Sequence, residues 1–284
     1  MGITFYPTIS KGELGIHAQH VTRALLPASS WAGPEVKRYG HVRKALPVPR
    51  IPPAMVDVAA DCGGFVAMTK WKGEYKYSVE QYVAWLSGFT PKWAALRDFC
   101  CEDEITSGQP GIVRARQDAT TMMALSMWGE YQSSPWAWVP TIQGWHTKEY
   151  HRHVQDMRPL ITEMYQHYGP DSAFRVGIGT LCARASASMI REVVTMVARE
   201  LPGVPLHLWG VKLSVFKSPV ALPEQVASAD SAAWNGMFKT GRNAWKTSGL
   251  SQRKYGFDVA LRNYEAKLYA ALSQPKQMRW EDAV

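Results

Sequence analysis

The segment Asp61-Cys62-Gly63-Gly64-Phe65 sets an acid directly before two glycines, at the end of the apolar-leaning run Ala54–Ala60. A carboxylate in that position stands beside backbone that carries no side chain and can approach a ligand closely. Val226-Ala227-Ser228-Ala229-Asp230 has the same form, a short run of small residues that brings a second aspartate to its end. Two carboxylates on two strand ends suit displacement at a sugar carbon, one attacking the carbon and the other moving the proton. Each aspartate also has an ordinary reading as a helix N-cap or turn residue. The pair therefore has to be judged with the elements that place it.

A chain of 284 residues, 46% of them hydrophobic, has the length of one α/β barrel or of two ordinary domains, with a large core. Residues 1–53 are rich in Pro, Gly and Ser and read as an irregular segment with one short strand at best. From residue 54 a strand–helix rhythm sets in. A strand over 54–60 precedes a helix Val79–Leu86, opened by Ser78 with Gln81 in capping-box position. Strand Trp93–Leu96 ends at Arg97-Asp98, and helix Ile112–Tyr131 follows. Strand Trp136–Ile142 ends at Gln143-Gly144, before a helix Thr147–Gln166 opened by Thr147. Strand Arg175–Ile178 ends at Gly179-Thr180, and Ser186 caps a helix to Glu200 whose stripe is Ile190, Val193, Val194 and Val197. Then come strand Pro205–Trp209, a helix-like Pro223–Ala227, the strand end at Asp230 and a helix Asp258–Leu272. Alternating strands and helices imply parallel βα units. The dinucleotide glycine fingerprint is missing, which favours an α/β fold of the (β/α)8 TIM-barrel type over a doubly wound sheet. Such a barrel puts Asp61, Asp98, Gln143, Gly179 and Asp230 on one rim. The expected organisation is a single domain over 1–284, with an irregular segment 1–53, a barrel core 54–240 and a basic region 241–284.

The formal charge of +8 points to an anionic partner. Lys239, Arg242, Lys246, Arg253, Lys254, Arg262, Lys267, Lys276 and Arg279 are opposed before the terminus only by Asp258 and Glu265. Trp234, Phe238, Trp245, Tyr255 and Tyr264 lie among them, a mixture that suits a polyphosphate backbone with exposed bases. The alternative is an ordinary solvated basic helix. Lys37, Arg38, Arg43, Lys44 and Arg50 form a second basic patch. No apolar run approaches a membrane span and Met1–Tyr6 lacks a signal-peptide core, so a cytoplasmic location is expected, the host cytoplasm if the chain is phage-encoded. Cys62, Cys100, Cys101 and Cys182 read as reduced, buried thiols. His146, His151, His153 and Glu149 are a weak metal candidate, since helical spacing pairs only Glu149 with His153 on one face.

With these positions on one rim, the sequence resembles the tRNA-guanine transglycosylase superfamily. Asp61-Cys62-Gly63-Gly64-Phe65 is similar to its DSGGF motif, Ile142-Gln143-Gly144 to VQG and Ile178-Gly179-Thr180-Leu181 to IGGL. His207-Leu208-Trp209-Gly210-Val211 resembles the Y-L-M-G-V segment, and Asp230 stands where the nucleophile is expected. The family's zinc motif, C-x-C-x2-C with a histidine, has no counterpart because no cysteine follows Cys182, so no zinc subdomain is expected. The acids after Phe99 leave Asp98 as first choice and Asp103 as second for the residue that reads the base. The texture is most like the divergent, DpdA-like branch of phage and bacterial DNA-modification clusters.

What the resemblance implies is exchange of guanine in DNA for a 7-deazaguanine such as preQ0, with Asp230 as nucleophile and Asp61 as acid and base. It implies that Asp98, Gln143, Gly144, Gly179, Thr180 and Leu181 hold the base, and that no cofactor or metal takes part. Phe65, Trp71 or Trp145 would stack on the extruded nucleotide. The polymer would lie on Lys239, Arg242, Lys246, Arg253 and Lys254. The alternatives are a tRNA substrate, or a nucleic-acid-binding partner subunit without catalysis; a homodimer is left open. For duplex DNA, log K falls against log salt by about 0.9 per phosphate contact. Neutralising Arg242, Lys246 and Arg253 together is expected to flatten that slope and weaken all sequences alike in a salt titration. An unchanged slope moves the polymer to the segment Lys37–Arg50.

Overall fold

The computed structural model describes residues 2–17, 21–182, 184, 186–218, 220–233 and 252–274. They form a mixed α/β structure with two parallel sheets. One sheet has the order β2 (Arg23–Pro27), β3 (Asp57–Asp61), β4 (Trp93–Ala95), β5 (Ala137–Val139). The other runs β6 (Thr141–Ile142), β7 (Val176–Ile178), β8 (Leu206–Leu208), β9 (Val226–Ser231), β1 (Thr4–Pro7). Every ladder in both is parallel. Parallel strands are covered on both faces, which explains why runs such as Trp-Ala-Ala and Ala-Trp-Val are apolar throughout instead of alternating. β5 and β6 are one stretch of chain broken at Pro140, whose ring nitrogen has no hydrogen to give a ladder. On the other side, Thr8 bridges Leu25 in parallel and the Ile9 N–H donates to the Leu25 carbonyl at 2.9 Å, so the two sheets also meet between β1 and β2. The arrangement is compatible with a TIM-like fold.

Helices follow the strands: α1 (Lys11–His17), α2 (Ala28–Tyr39), α3 (Gly64–Thr69), α4 (Val79–Ser87), α5 (Asp103–Thr106) and α6 (Pro110–Tyr131). Beyond β6 come α7 (Thr147–Tyr168), α8 (Ala187–Glu200), α9 (Leu213–Lys217) and α10 (Gln252–Ser273). The capping box of Ser78 and Gln81 opens α4, and the Ser186 hydroxyl accepts from the Met189 N–H to open α8. The stripe Ile190, Val193, Val194 and Val197 is buried, as its spacing requires. No described helix is long and apolar enough to cross a membrane.

Three expectations are corrected. Residues 1–53 are not irregular: they supply β1 and β2, each followed by a helix. Those strands are four and five residues long, and their prolines fall at the strand ends, so neither periodicity nor composition reveals them. Pro223–Ala227 is not helical. Pro223–Gln225 is a turn, closed by the Val226 N–H on the Pro223 carbonyl at 3.0 Å, and Val226 begins β9. Thr147 is the first residue of α7 but does not cap it: His146 is the N-cap, and Glu149 accepts the N–H groups of Trp145 and His146 at 2.8 Å each, while the Thr147 hydroxyl donates to Glu192.

The interior between the sheets is aromatic. Trp93 meets Tyr6 edge-on at 5.2 Å between centroids, lies 4.9 Å from the His207 ring and carries the Arg175 guanidinium 4.9 Å above it. Trp93 is fully buried and touches both sheets, so Trp93→Ala is expected to cost about 3–5 kcal/mol. A denaturant titration checks this.

Candidate active site

The strand ends surround a cavity of about 930 Å³ whose wall includes Asp61, Asp98, Gln143, Gly179, Thr180 and Asp230. The two glycines after Asp61 are needed for different reasons. Gly63 has φ +79° and begins α3 in the left-handed region, and its N–H turns back to Asp61 Oδ1 at 3.0 Å. Gly64 leaves room for the neighbouring strand end, because a Cβ there would strike Asp98 Oδ1.

Asp98, Gln143 and Thr180 form one hydrogen-bonded chain across the ends of β4, β6 and β7. A carboxylate only accepts, so the Gln143 amide must turn its Nε2 toward Asp98 Oδ2, to which it donates. Its Oε1 then accepts from the Thr180 hydroxyl at 2.5 Å, and the Cys101 N–H donates to that hydroxyl at 2.9 Å. Gly179 makes the approach possible: a Cβ on it would come within 2.5 Å of Gln143 Oε1. The backbone of Gln143 is held from behind, its N–H donating to His153 Nδ1 at 2.7 Å and its carbonyl accepting from Gln117 at 2.6 Å. Asp98 also accepts from the Cys62 thiol at 3.1 Å, while the Tyr75 hydroxyl donates to its carbonyl at 2.8 Å.

Asp230 is held on the opposite wall. Its Oδ2 accepts from the Thr8 hydroxyl at 2.8 Å and its Oδ1 from the Gly210 N–H at 2.7 Å. His207 Nε2 faces Oδ1 at 3.4 Å, at ion-pair distance but outside hydrogen-bond geometry. A buried chain orients that ring. Arg175 donates to Ser228 Oγ at 2.6 Å, and Ser228 Oγ lies 2.8 Å from His207 Nδ1. Because the Asp230 carboxylate facing Nε2 only accepts, the hydrogen of the neutral ring is assigned to Nε2, and Nδ1 then accepts from the Ser228 hydroxyl. Burial holds His207 below the ordinary histidine range, so the ring is neutral.

The carboxylates differ in their proton affinity. Burial lifts Asp61 to about 7, the charges of Asp98 and Asp230 add to the rise, and the Gly63 N–H opposes it. Burial lifts Asp98 to about 6, with Glu102 adding to the shift and the donors Cys62 and Gln143 restraining it. Cys62 is pushed well up by burial and by both aspartates, so it remains a thiol and a donor.

Of the residues singled out in the sequence, Gly144 and Leu181 do not line the cavity. Leu181 is fully buried, and a Cβ on Gly144 would strike the Tyr150 ring and N–H at 2.9 Å. Asp103 is exposed in the first turn of α5 and is not on the cavity wall. Phe65 and Trp71 line the cavity, whereas Trp145 lies beneath the Arg184 guanidinium, 4.6 Å from its ring. His153 is fully buried against Gln143, and among the described residues no group of His, Cys, Asp and Glu is arranged to hold a metal. All four cysteines are free. Lys239, Arg242 and Lys246 lie outside the described residues, as do the side chains of Arg253 and Lys254 on α10. Sequence reasoning missed Thr8, Ser228 and Arg175. Thr8 lay in the stretch read as irregular, and the other two touch the site only through His207.

A parallel α/β frame with paired acids across a strand-end cavity, one protonatable near neutrality, has the groups that displacement at a sugar carbon requires. Residues 34–260 match the sequence model of DpdA, DeoxyPurine in DNA protein A, and the chain belongs to that family. The family makes it a DNA-modifying enzyme. Among curated proteins none matches the chain. Gly179→Ala is expected to displace the Gln143 amide from both Asp98 and Thr180, with no backbone strain because Gly179 has no positive φ. Loss of one hydrogen bond to a charged group corresponds to about 10–100-fold. KM should rise by that factor with the melting temperature little changed, as steady-state kinetics and a thermal melt would show.

Proposed function

We propose that this chain replaces guanine in DNA with a 7-deazaguanine of the preQ0 type through a covalent aspartyl-glycosyl intermediate. The observation that carries the reading is the division of labour between Asp61 and Asp230. Asp61 sits near 7, where a carboxyl can both give and take a proton, and Asp230 is held by two donors, the Thr8 hydroxyl and the Gly210 N–H, in one orientation. In the first step an Asp230 oxygen bonds to C1′ as the C1′–N9 bond breaks, and Asp61 delivers the proton to N9 of the leaving guanine. In the second, Asp61 takes the N9 proton of the incoming base, N9 bonds to C1′ and the ester opens to regenerate the Asp230 carboxylate. Two inversions give retention.

Asp98 accepts from the N1–H and amine edge of the base. Its two present donors leave acceptor capacity on a carboxylate, and Gln143 keeps a second Nε2 hydrogen for O6. The backbone of Thr180 faces the 7-substituent, and Phe65 and Trp71 flank the extruded nucleotide. The scaffold is read as a single domain in which the two sheets close into one (β/α)8 barrel. The Thr8–Leu25 bridge and the continuous run through Pro140 support that closure. The basic residues from Lys239 to Lys254 take the phosphates.

The rate is expected to fall as pH drops through about 6, where Asp98 gains a proton and stops accepting from the base. It should also fall as pH rises through about 7, where Asp61 loses the proton the leaving guanine needs. Asp230→Ala should abolish exchange of labelled guanine, while Asp61→Asn should slow it and still let the ester form from a base that leaves without protonation. Mass spectrometry of the trapped protein decides the assignment: an ester on Asp61 reverses the two roles.

A further inference from the structure

The cavity continues past the paired acids onto α2, where its wall carries no bulky side chain. Ser29, Ser30 and Gly33 line it there, and a Cβ added to Gly33 would meet nothing within 4 Å. The first N–H groups of a helix have no partner within it. At α2 no side chain replaces one: the N-cap is Pro27, without a side-chain acceptor, and no acid stands in the first turn. Pro27 lines the cavity as well, so the positive end of this helix opens onto it.

A second observation points to a ligand at this place. Ser29 is 7% exposed, lines the cavity and makes no hydrogen bond to any described residue. A hydroxyl buried to that degree is ordinarily matched. Ser30 beside it accepts from the Lys11 N–H at 3.1 Å, which leaves its own hydrogen to give. Lys70, exposed on the cavity wall, has no ion-pair partner among the described residues. Helix N–H groups, serine hydroxyls and an ammonium are the donors that a nucleic-acid phosphate takes.

The place of the two serines on the rim decides which phosphate that is. Ser30 adjoins the segment after β1 through Lys11, and Thr8 of that segment holds Asp230. Ser29 adjoins the Asp61 turn, since a Cβ added to Gly63 would lie 2.8 Å from the Ser29 Cβ. The serines therefore stand between the two acids. Asp98, Gln143 and Thr180 lie across the rim, at the ends of β4, β6 and β7. A nucleotide with its base on that chain and its C1′ between Asp61 and Asp230 turns its phosphate side toward α2.

We infer that the start of α2, with Ser29 and Ser30, seats one backbone phosphate of the extruded nucleotide. The inference rests on the base-exchange reading and adds to it a subsite apart from the basic residues after Lys239. Neutral donors suit this place. A guanidinium against Asp61 would lower the proton affinity that lets it serve the leaving base, whereas N–H and O–H groups hold an anion without adding that charge.

The test is calorimetry on the intact protein with 2′-deoxyguanosine, its 3′- and 5′-(methyl phosphate) diesters and inorganic phosphate, repeated with Ser29→Ala and Ser29→Asp. One diester should bind the wild type about tenfold or more tightly than the nucleoside does. Ser29→Ala should lose most of that gain while binding the nucleoside as before, which shows the cavity intact. Ser29→Asp, which sets a carboxylate on the seat, should lose all of it. Equal binding of the nucleoside and both diesters by the wild type overturns the phosphate seat and leaves base exchange standing. A gain that survives either substitution overturns it too. Inorganic phosphate that binds as tightly as the favoured diester makes this a seat for a free anion and refutes the assignment to the DNA strand. Failure of the nucleoside and both diesters to bind overturns the base-site reading and this inference with it.

Discussion

The side-chain amide of Gln143 ties the end of β4, in one sheet, to the ends of β6 and β7, neighbours in the other. Its nitrogen reaches Asp98 beyond β4 and its oxygen meets the Thr180 hydroxyl beyond β7, while its own backbone hangs from His153 and Gln117 on two helices. An amide has one donor end and one acceptor end, so satisfying both fixes its orientation and, through it, the rotamer of Asp98. The rest of the wall follows from this constraint. Gly179 has to lack a side chain, Thr180 has to accept φ +55° to turn its hydroxyl inward, and Gly64 has to clear Asp98. Buried polar groups that are all matched in this way hold a site in one geometry.

Burial among other carboxylates raises the proton affinity of Asp61 and Asp98, and the chain uses neutral donors more than cations to restrain it. Cys62 and Gln143 restrain Asp98 without adding charge, while the Thr8 hydroxyl and the Gly210 N–H orient Asp230. Asp61 has a single backbone donor and stands highest. The buried Arg175 guanidinium acts on Asp230 at one remove, through Ser228 and His207. An acidic cavity of this kind favours a positively charged transition state, as a sugar cation is, over an anionic one.

Much of the frame was legible from local pattern. The βα rhythm from residue 57 onward, the Ser78 and Ser186 caps and the apolar strands were readable because each depends on a few adjacent residues. β1 and β2 were not, since four or five residues flanked by proline carry no period, and their strand character comes from pairing with β9 and β3. β9 was misread at its start for the same reason: Val-Ala-Ser-Ala becomes a strand by lying between β8 and β1.

The amino-acid sequence alone determined which residues could do chemistry, because an acid before paired glycines, a Gln-Gly and a Gly-Thr-Leu at strand ends are local signals that survive without coordinates. It also determined the order in which those pieces meet the rim, through the alternation of strand and helix. Only the tertiary structure decided their partners. Thr8 and Asp230 are 222 residues apart and Cys182 and Glu102 are 80 apart, and no local pattern ties such positions together. Proton affinity was likewise undecided by sequence, since Asp61 and Asp98 are chemically identical until burial and the donors around each one separate them.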